Sequence, residues 1–375
     1  MAMNLEHLKK IFSRGKKTLL SNRNTIIHHY CPHTYNAGDH FVILSIRYHL
    51  RRYIPDALFV PKAIAENRGW GSPIGLRGQN IEFSNKYAHA VILGGSDQYN
   101  DWSPRISRKE IGKLLPPLFL IGLGVSSKDI NQPPYLSDES LKADIVETNN
   151  KSVLSSVRDE ITRDFLLSLG VKRVINTGCP ALFLFNEEFH LRKSRNVALT
   201  FPYPLVHNDE NRFRTLISAM RDTVEFLHGN DLNPVIVCHD DRDITYAQTL
   251  FREENIFYSN YPEDYLKLYD TVLMVIGSRL HASILASGMG IPNLNINLDL
   301  RGTGFSKDMD MESWHVNYNQ PNLSQVIISR IEKTLTGDLQ VFEMLRTNIM
   351  KKFQVFDQFM ENMASFIRKR YIGRQ

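Results

Sequence analysis

Short apolar runs rich in β-branched residues alternate with longer stretches of helical period along most of the chain. The runs predict strands at 24–30, 88–93, 118–121 and 152–157. Helical spacing predicts helices at 41–52, 137–149 and 161–169, the last closed by Gly170. Residues 185–195 are charged and have no period, so a domain boundary is placed there, after residue 190. The alternation then restarts. Strands are predicted at 197–201, 234–238, 256–258, 271–276 and 293–296, with helices at 212–227, 245–254, 262–269 and 282–286 between and after them. Residues 323–335 and 339–371 read as helices. Strands alternating with helices in both halves predict the α/β class: two doubly wound parallel-sheet domains facing a cleft. The domains run over 24–190 and 191–336, preceded by a basic segment at 1–23. The amphipathic segment 337–375 is expected to return to the first domain.

The polar residues of interest fall where predicted strands end, at the sheet edge where α/β proteins bind ligands. After 271–276 come Gly277-Ser278-Arg279-Leu280-His281-Ala282, a sharp turn with Ser278 as the expected helix cap. A helix start supplies free N–H groups and partial positive charge. A guanidinium from Arg279 and an imidazole from His281 make this a candidate for phosphate or carboxylate, although a polar helix start with a packed histidine fits as well. Arg158 stands at a strand end in the same way, with a surface pair to Asp159 or Glu160 as its plainer explanation. Asn36-Ala37-Gly38-Asp39 opens a helix, and Asp39 is either a ligand contact or a cap. Gly94-Gly95-Ser96-Asp97 and Gly122-Leu123-Gly124 end two more strands, where backbone can approach a ligand closely. Asp299, Arg301, Gly302 and Gly304 read as a flexible loop after a strand, and Arg301 is a further anion candidate. His239-Asp240-Asp241-Arg242-Asp243 invites a metal reading, but adjacent residues project in different directions, and a loop capping the next helix is preferred. No metal is expected.

Composition changes this picture little. A length of 375 residues with 42% hydrophobic content supports two full cores. The formal charge of +5 tolerates an anionic substrate, and no dense basic tract interleaved with aromatics argues for nucleic acid. Cys31, Cys179 and Cys238 are scattered and odd in number, which suggests a reducing compartment. No run approaches the roughly 20 apolar residues of a membrane span. The chain is therefore expected in the cytoplasm. Residues 5–20 mix leucines with Lys9, Lys10, Arg14, Lys16 and Lys17, compatible with peripheral contact with an anionic membrane, although an ordinary solvated first helix is preferred.

Taken together and in order, these motifs resemble the polysaccharide pyruvyl transferase family. The matching residues are Asn36-Ala37-Gly38-Asp39, Gly94-Gly95, Gly122-Leu123-Gly124, Ser156-Val157-Arg158-Asp159, and Ser278-Arg279-Leu280-His281-Ala282 with Gly290-Ile291-Pro292. Cys179-Pro180 stands where many members carry Asp-Pro, and Ser96-Asp97 replaces further glycines. The resemblance implies a GT-B-like architecture, with the first domain on the acceptor side and the second on the donor side. It implies an enzyme that moves pyruvate from phosphoenolpyruvate onto a cell-surface polysaccharide or its precursor as a ketal, without a further cofactor. The partners would be phosphoenolpyruvate and a sugar or glycan acceptor, lipid-linked or not; the oligomeric state stays open. Arg279, His281 and Arg158 would meet the donor, with His281 as the acid. Ser278, Arg301, Asn36, Asp39, Gly94, Gly95 and Ser96 would contribute to substrate binding, and Asp39 and Asp97 are candidate bases. A GT-B glycosyltransferase using a nucleotide sugar and a non-catalytic glycan-binding relative are the alternatives.

Overall fold

The computed structural model describes residues 24–32, 36–63, 75–95, 97–99, 106, 108–184, 188–202 and 210–371. The expected basic segment at 1–23 and the candidate Ser96 lie outside them.

The first half builds a parallel sheet from β1 (Thr25–Cys31), β2 (Ala57–Ala63), β3 (Ala90–Gly94), β4 (Asp97–Tyr99), β5 (Leu118–Val125), β6 (Leu154–Val157) and β7 (Ile175–Asn176). Its order is β2-β1-β3-β5-β6-β7, with β4 paired to β5. The helices are α1 (Ala37–Tyr53), α2 (Gln79–Tyr87), α3 (Arg108–Ile111), α4 (Glu139–Lys151) and α5 (Glu160–Ser168). The order reverses between β1 and β3, which opens a crevice at the ends of those strands.

The second half repeats the plan. Its strands are β8 (Asn196–Thr200), β9 (Asn233–Val237), β10 (Asn255–Phe257), β11 (Met274–Gly277), β12 (Asn293–Asn297) and β13 (Val316–Asn317), in the order β10-β9-β8-β11-β12-β13. Every strand pair found among the described residues is parallel. The helices are α6 (Glu210–Gly229), α7 (Asp241–Leu250), α8 (Pro262–Tyr269), α9 (Leu280–Gly288), α10 (Leu300–Asp308), α11 (Leu323–Leu335) and α12 (Gln340–Tyr371). Here the order reverses between β8 and β11. The two crevices face each other. This is the two-domain α/β architecture expected from the sequence.

The halves share apolar contacts. One buried cluster runs from Ile27 and Phe41 through Ala181 and Leu182 to Leu199, Ile284 and Phe356. The bridge is a 3-10 turn, Pro180–Phe183, between β7 and β8. Helix α12 packs on it: Phe356 stacks on Phe183 with centroids 4.7 Å apart, and Asp357 meets Arg52 at 3.0 Å. Phe366 approaches Phe119 at 6.0 Å. The long helix thus lies against the first half through its buried stripe.

Some elements differ from the apolar pattern. Edge strand β2 and helix α2 expose much of their length, so neither shows a clean run. The expected loop at 299–304 is the start of α10. Asp299 caps it by accepting from the Arg301 N–H at 3.0 Å. Its glycines read as flexibility in sequence, but they serve close packing. A Cβ on Gly302 would lie 2.6 Å from Asn297 Oδ1, and one on Gly304 would lie 2.9 Å from Asp159 Cγ across the interface between the halves.

Candidate active site

Both crevices open into one cleft. Its lining comes from the carboxyl ends of nearly all the central strands: Asn36 and Asp39 after β1, Gly95 after β3, Arg158 after β6, Ser278, Arg279 and His281 after β11, and Arg301 after β12. Ala37 N–H donates to His239 O at 2.8 Å, which pins the start of α1 to the opposite half.

The three arginines do not hang loose in the cleft. Each is held by carboxylates. Arg279 sends Nε to Asp243 Oδ2 at 3.0 Å and Nη2 to Asp243 Oδ1. Asp243 is itself fixed, because its Oδ2 accepts the N–H groups of His239 and Asp240, both at 3.1 Å, in the capping box of α7. Arg158 reaches Asp97 at 2.5 Å, Asp159 at 3.2 Å and the carbonyl of Val125 at 2.8 Å. Arg301 forks onto Asp299 and meets Asp97 at 3.2 Å. Asp97 therefore ties Arg158 of the first half to Arg301 of the second. Burial works against the charge on Arg158, but Asp97 and Asp159 outweigh it and raise its pKa. The same balance, with Asp299 and Asp97, raises that of Arg301. Both stay cationic at any working pH.

The plainer explanation for Arg158, an exposed pair with Asp159 or Glu160, holds for the Asp159 partner but not for the exposure: the residue is 9% exposed and pairs with Asp97 as well. Gly124 makes the room, since a Cβ there would collide with the guanidinium. Backbone glycine here admits an arginine, not a ligand.

Gly277 shapes the turn after β11. Its φ of 148° lies where side chains are strained, and a Cβ would strike the backbone of Thr200. Ser278 N–H then donates to Thr200 O at 3.0 Å, and the chain turns into α9. Ser278 is not the cap the sequence suggested. Arg279 occupies that place, without a side-chain capping bond. Ser278 Oγ is instead buried with no hydrogen-bond partner among the described residues, as is Asn295 Oδ1 nearby in the lining. Buried polar atoms seldom go unsatisfied.

His281 sits in the first turn of α9, against Gly38 of α1. Burial, then the charges of Arg158, Arg301 and Arg279, outweigh Asp97 and push its pKa down to about 3. Its imidazole is therefore neutral at pH 7. Cys179 also lines the cleft; burial pushes its thiol up to about 11, which makes it inert as a nucleophile.

Of the sequence candidates, Arg158, Ser278, Arg279, His281, Arg301, Asn36, Asp39 and Gly95 all line this one cleft. Gly94 lies just beneath, where a Cβ would press on Ile46 at 2.8 Å and His29 at 3.2 Å. Asn36, not Asp39, caps α1, accepting from Gly38 N–H at 2.9 Å. Asp39 lines the cleft. The sequence reading missed the partners of the arginines: Asp243, Asp299 and the bridging role of Asp97. Asp240 and Asp243 stand three apart after a strand, the spacing of a capping box. That spacing alone says nothing of Arg279, 36 residues later. No group of histidines, cysteines and carboxylates that could hold a metal occurs among the described residues.

Among solved structures, the chain is similar to the UDP co-structure of MnaA from S. aureus, with 11% identity over 86% of this chain and 91% of that one and a TM-score of 0.54. It is also similar to the UDP-GlcNAc 2-epimerase from Neisseria meningitidis bound to UDP-GlcNAc, with 13% identity over 93% and 99% and a TM-score of 0.52. At these identities the likeness concerns the fold alone, which is GT-B-like. No curated protein matches the sequence. The profile of the polysaccharide pyruvyl transferases, in contrast, matches residues 36–299, a span that begins at the Asn36 cap and ends at the Asp299 cap and so takes in the cleft from one half to the other. The chain belongs to the polysaccharide pyruvyl transferase family.

Proposed function

We propose that this cleft transfers a pyruvyl group from phosphoenolpyruvate to two hydroxyls of a glycan sugar, forming a ketal and releasing inorganic phosphate. The observation that carries the reading is the convergence of Arg158, Arg279 and Arg301 on His281 from three separate strand ends. Phosphoenolpyruvate carries a phosphate and a carboxylate a few bonds apart. Guanidinium cations suit both groups. Asp243 and Asp299 take the Nε–Nη2 edges of Arg279 and Arg301. The donor therefore meets the remaining N–H groups, which these pairs hold in place and which lose little entropy on binding. The unsatisfied Ser278 Oγ offers a further donor.

The chemistry has two steps. A sugar hydroxyl oxygen bonds to C2 of the enol while C3 receives a proton. A second hydroxyl oxygen then bonds to C2 as the C2–O bond to phosphate breaks. Two hydroxyl protons are released in all: C3 keeps the equivalent of one, and the other leaves with the departing phosphate. His281 is the proton donor to C3. It is neutral while only the protein's own charges surround it, so it must gain its proton as the donor binds. The anionic groups of phosphoenolpyruvate offset the guanidinium charges that hold its pKa down. Asp39, at the start of α1 on the acceptor side, takes the proton of the first hydroxyl. Asp97 is less suited, because Arg158 and Arg301 grip it.

The test is incubation of the full chain with phosphoenolpyruvate and a panel of nucleotide-linked, lipid-linked and free glycans, with inorganic phosphate as the readout. Acceptor-dependent release is expected, and it should vanish in Arg279→Ala and His281→Ala with the melting temperature little changed. Full release by both variants sinks the reading. A melting temperature raised by a nucleotide sugar and not by phosphoenolpyruvate would favour glycosyl transfer instead.

A further inference from the structure

The starts of the β1, β3 and β5 strands, at the opposite end of the first sheet from the cleft, carry a second surface. Three large apolar side chains stand out there: Leu115 at 69% exposure, Tyr87 at 44% and Phe366 at 37%. They are neighbours in space although far apart in sequence. Leu115 N–H donates to Asn85 Oδ1 at 2.8 Å, which ties the loop before β5 to the last turn of α2 and so to Tyr87. Arg370 reaches Leu115 O at 3.4 Å, which brings in the last turn of α12 and Phe366. Basic groups surround them. Lys86 lies over the Tyr87 ring at 5.1 Å, and Arg368, Lys369 and Arg370 fill the last turn of α12. Helix dipoles favour cations at such ends, which accounts for each basic residue singly. They do not account for an exposed leucine and two part-exposed aromatic side chains set among them.

The start of β1 lies at this same end. β1 starts at Thr25, and Ile26 exchanges two hydrogen bonds with His89, two residues beyond Tyr87. Residues 1–23 carry six lysines and arginines against one glutamate. Both this surface and the sequence that precedes β1 thus combine positive charge with apolar side chains. Two such weak signals together give stable adsorption to a bilayer, where one alone gives little. Basic side chains meet anionic head groups while leucine and aromatic rings enter the interface.

We propose that this face, centred on Tyr87, Leu115 and Phe366, docks the protein on an anionic lipid bilayer. No helix among the described residues is long and apolar enough to cross one, so the contact is peripheral. The cleft lies at the far end of β5, whose eight residues span about 26 Å. Docked this way, the protein holds its cleft at that height above the head groups. A lipid-anchored acceptor then presents a sugar several units out along its glycan.

The experiment is sedimentation of the full chain with vesicles of phosphatidylcholine, with and without phosphatidylglycerol. At least ten-fold more protein should sediment with the anionic vesicles at low salt, and the excess should fall at 0.5 M salt. Leu115→Ser with Lys369→Gln, both at exposed positions, should cut that binding at least five-fold with an unchanged melting temperature. Binding to neither vesicle, or equally to both, overturns the proposal, as would be expected if the face serves a protein partner. A variant bound as well as the unaltered chain overturns it too, even if Lys9, Lys10, Lys16 and Lys17→Gln abolishes binding. Phosphate release on a soluble acceptor is a separate readout, so docking and pyruvyl transfer can fail independently.

Discussion

The His281 ring rests on the bare Cα of Gly38, so the two halves of the cleft meet at a glycine and an imidazole. A Cβ at residue 38 would lie 2.7 Å from His281 Cβ and 2.8 Å from its Cγ. Real carbon atoms do not come so close, and neither partner can yield cheaply. Gly38 is in the first turn of α1, and α9 is buried along nearly its whole length.

Gly38→Ala should therefore leave a folded protein in which His281 and the cleft are displaced. Overpacking of this kind costs about 1–3 kcal/mol. Phosphate release should fall at least ten-fold, a larger effect than the change in melting temperature suggests. Gly229→Ala is the control. Nothing lies within 4 Å of a Cβ there, so activity and stability should hold or stability rise slightly. Equal activity in both variants would mean that the contact with Gly38 does not position the histidine.

Asp243 acts on the cleft through Arg279. It is 1% exposed, and it accepts two backbone N–H groups as well as the guanidinium. Asp243→Asn keeps the size and one acceptor oxygen but removes the charge. The guanidinium would lose its brace and its counter-charge. Removing one partner of a buried pair costs about 3–5 kcal/mol in general, and less here because Arg279 can reach solvent. Steady-state kinetics with phosphoenolpyruvate varied should show kcat/KM down about a hundred-fold, most of it in KM for the donor. Unchanged KM would remove Asp243 from any role in holding Arg279.

The alternation of apolar runs and helical periods made both sheets legible, because buried parallel strands have no polar face to confuse the pattern. Strand ends with arginine, histidine and glycine marked the cleft for a related reason. Polar residues that interrupt buried runs in this class lie at one edge. The partners of those residues were not legible. Asp243 lies 36 residues before the arginine it holds, and Asp97 lies 61 before Arg158 and 204 before Arg301. Only the topology brings them together. The glycines misled in another way. Gly124, Gly302 and Gly304 read as loops or ligand-facing backbone, yet each makes room for a side chain of this same protein. A glycine reports that something comes close, and the sequence does not say what.

The neutral state of His281 gives the last prediction. Burial above all pushes His28 and His49 down to about 4 and His281 and His315 to about 3. In the unfolded chain these rings titrate near 6.5. Between the two values the unfolded state binds more protons, so stability falls as pH drops from about 6.5 toward 4. The loss is at most about 1.4 kcal/mol per pH unit for each ring, and all of it is recovered above 6.5. Of these four rings only His281 lines the cleft, so it is the one of the four that phosphoenolpyruvate should change. His239, also pushed down by burial and then by Arg279 and His281, lines the cleft as well, and the His281→Gln variant separates the two. With the anion bound, the pKa of His281 rises and up to about one proton is taken up per donor at pH 6–7. Titration calorimetry in buffers of different ionisation enthalpy measures that uptake directly. The apparent affinity for phosphoenolpyruvate should strengthen as pH falls through this range, up to about ten-fold per unit. His281→Gln should bind the donor without proton uptake and without this pH dependence. Uptake that persists in the variant would place the proton elsewhere in the cleft and end the case for His281 as the acid.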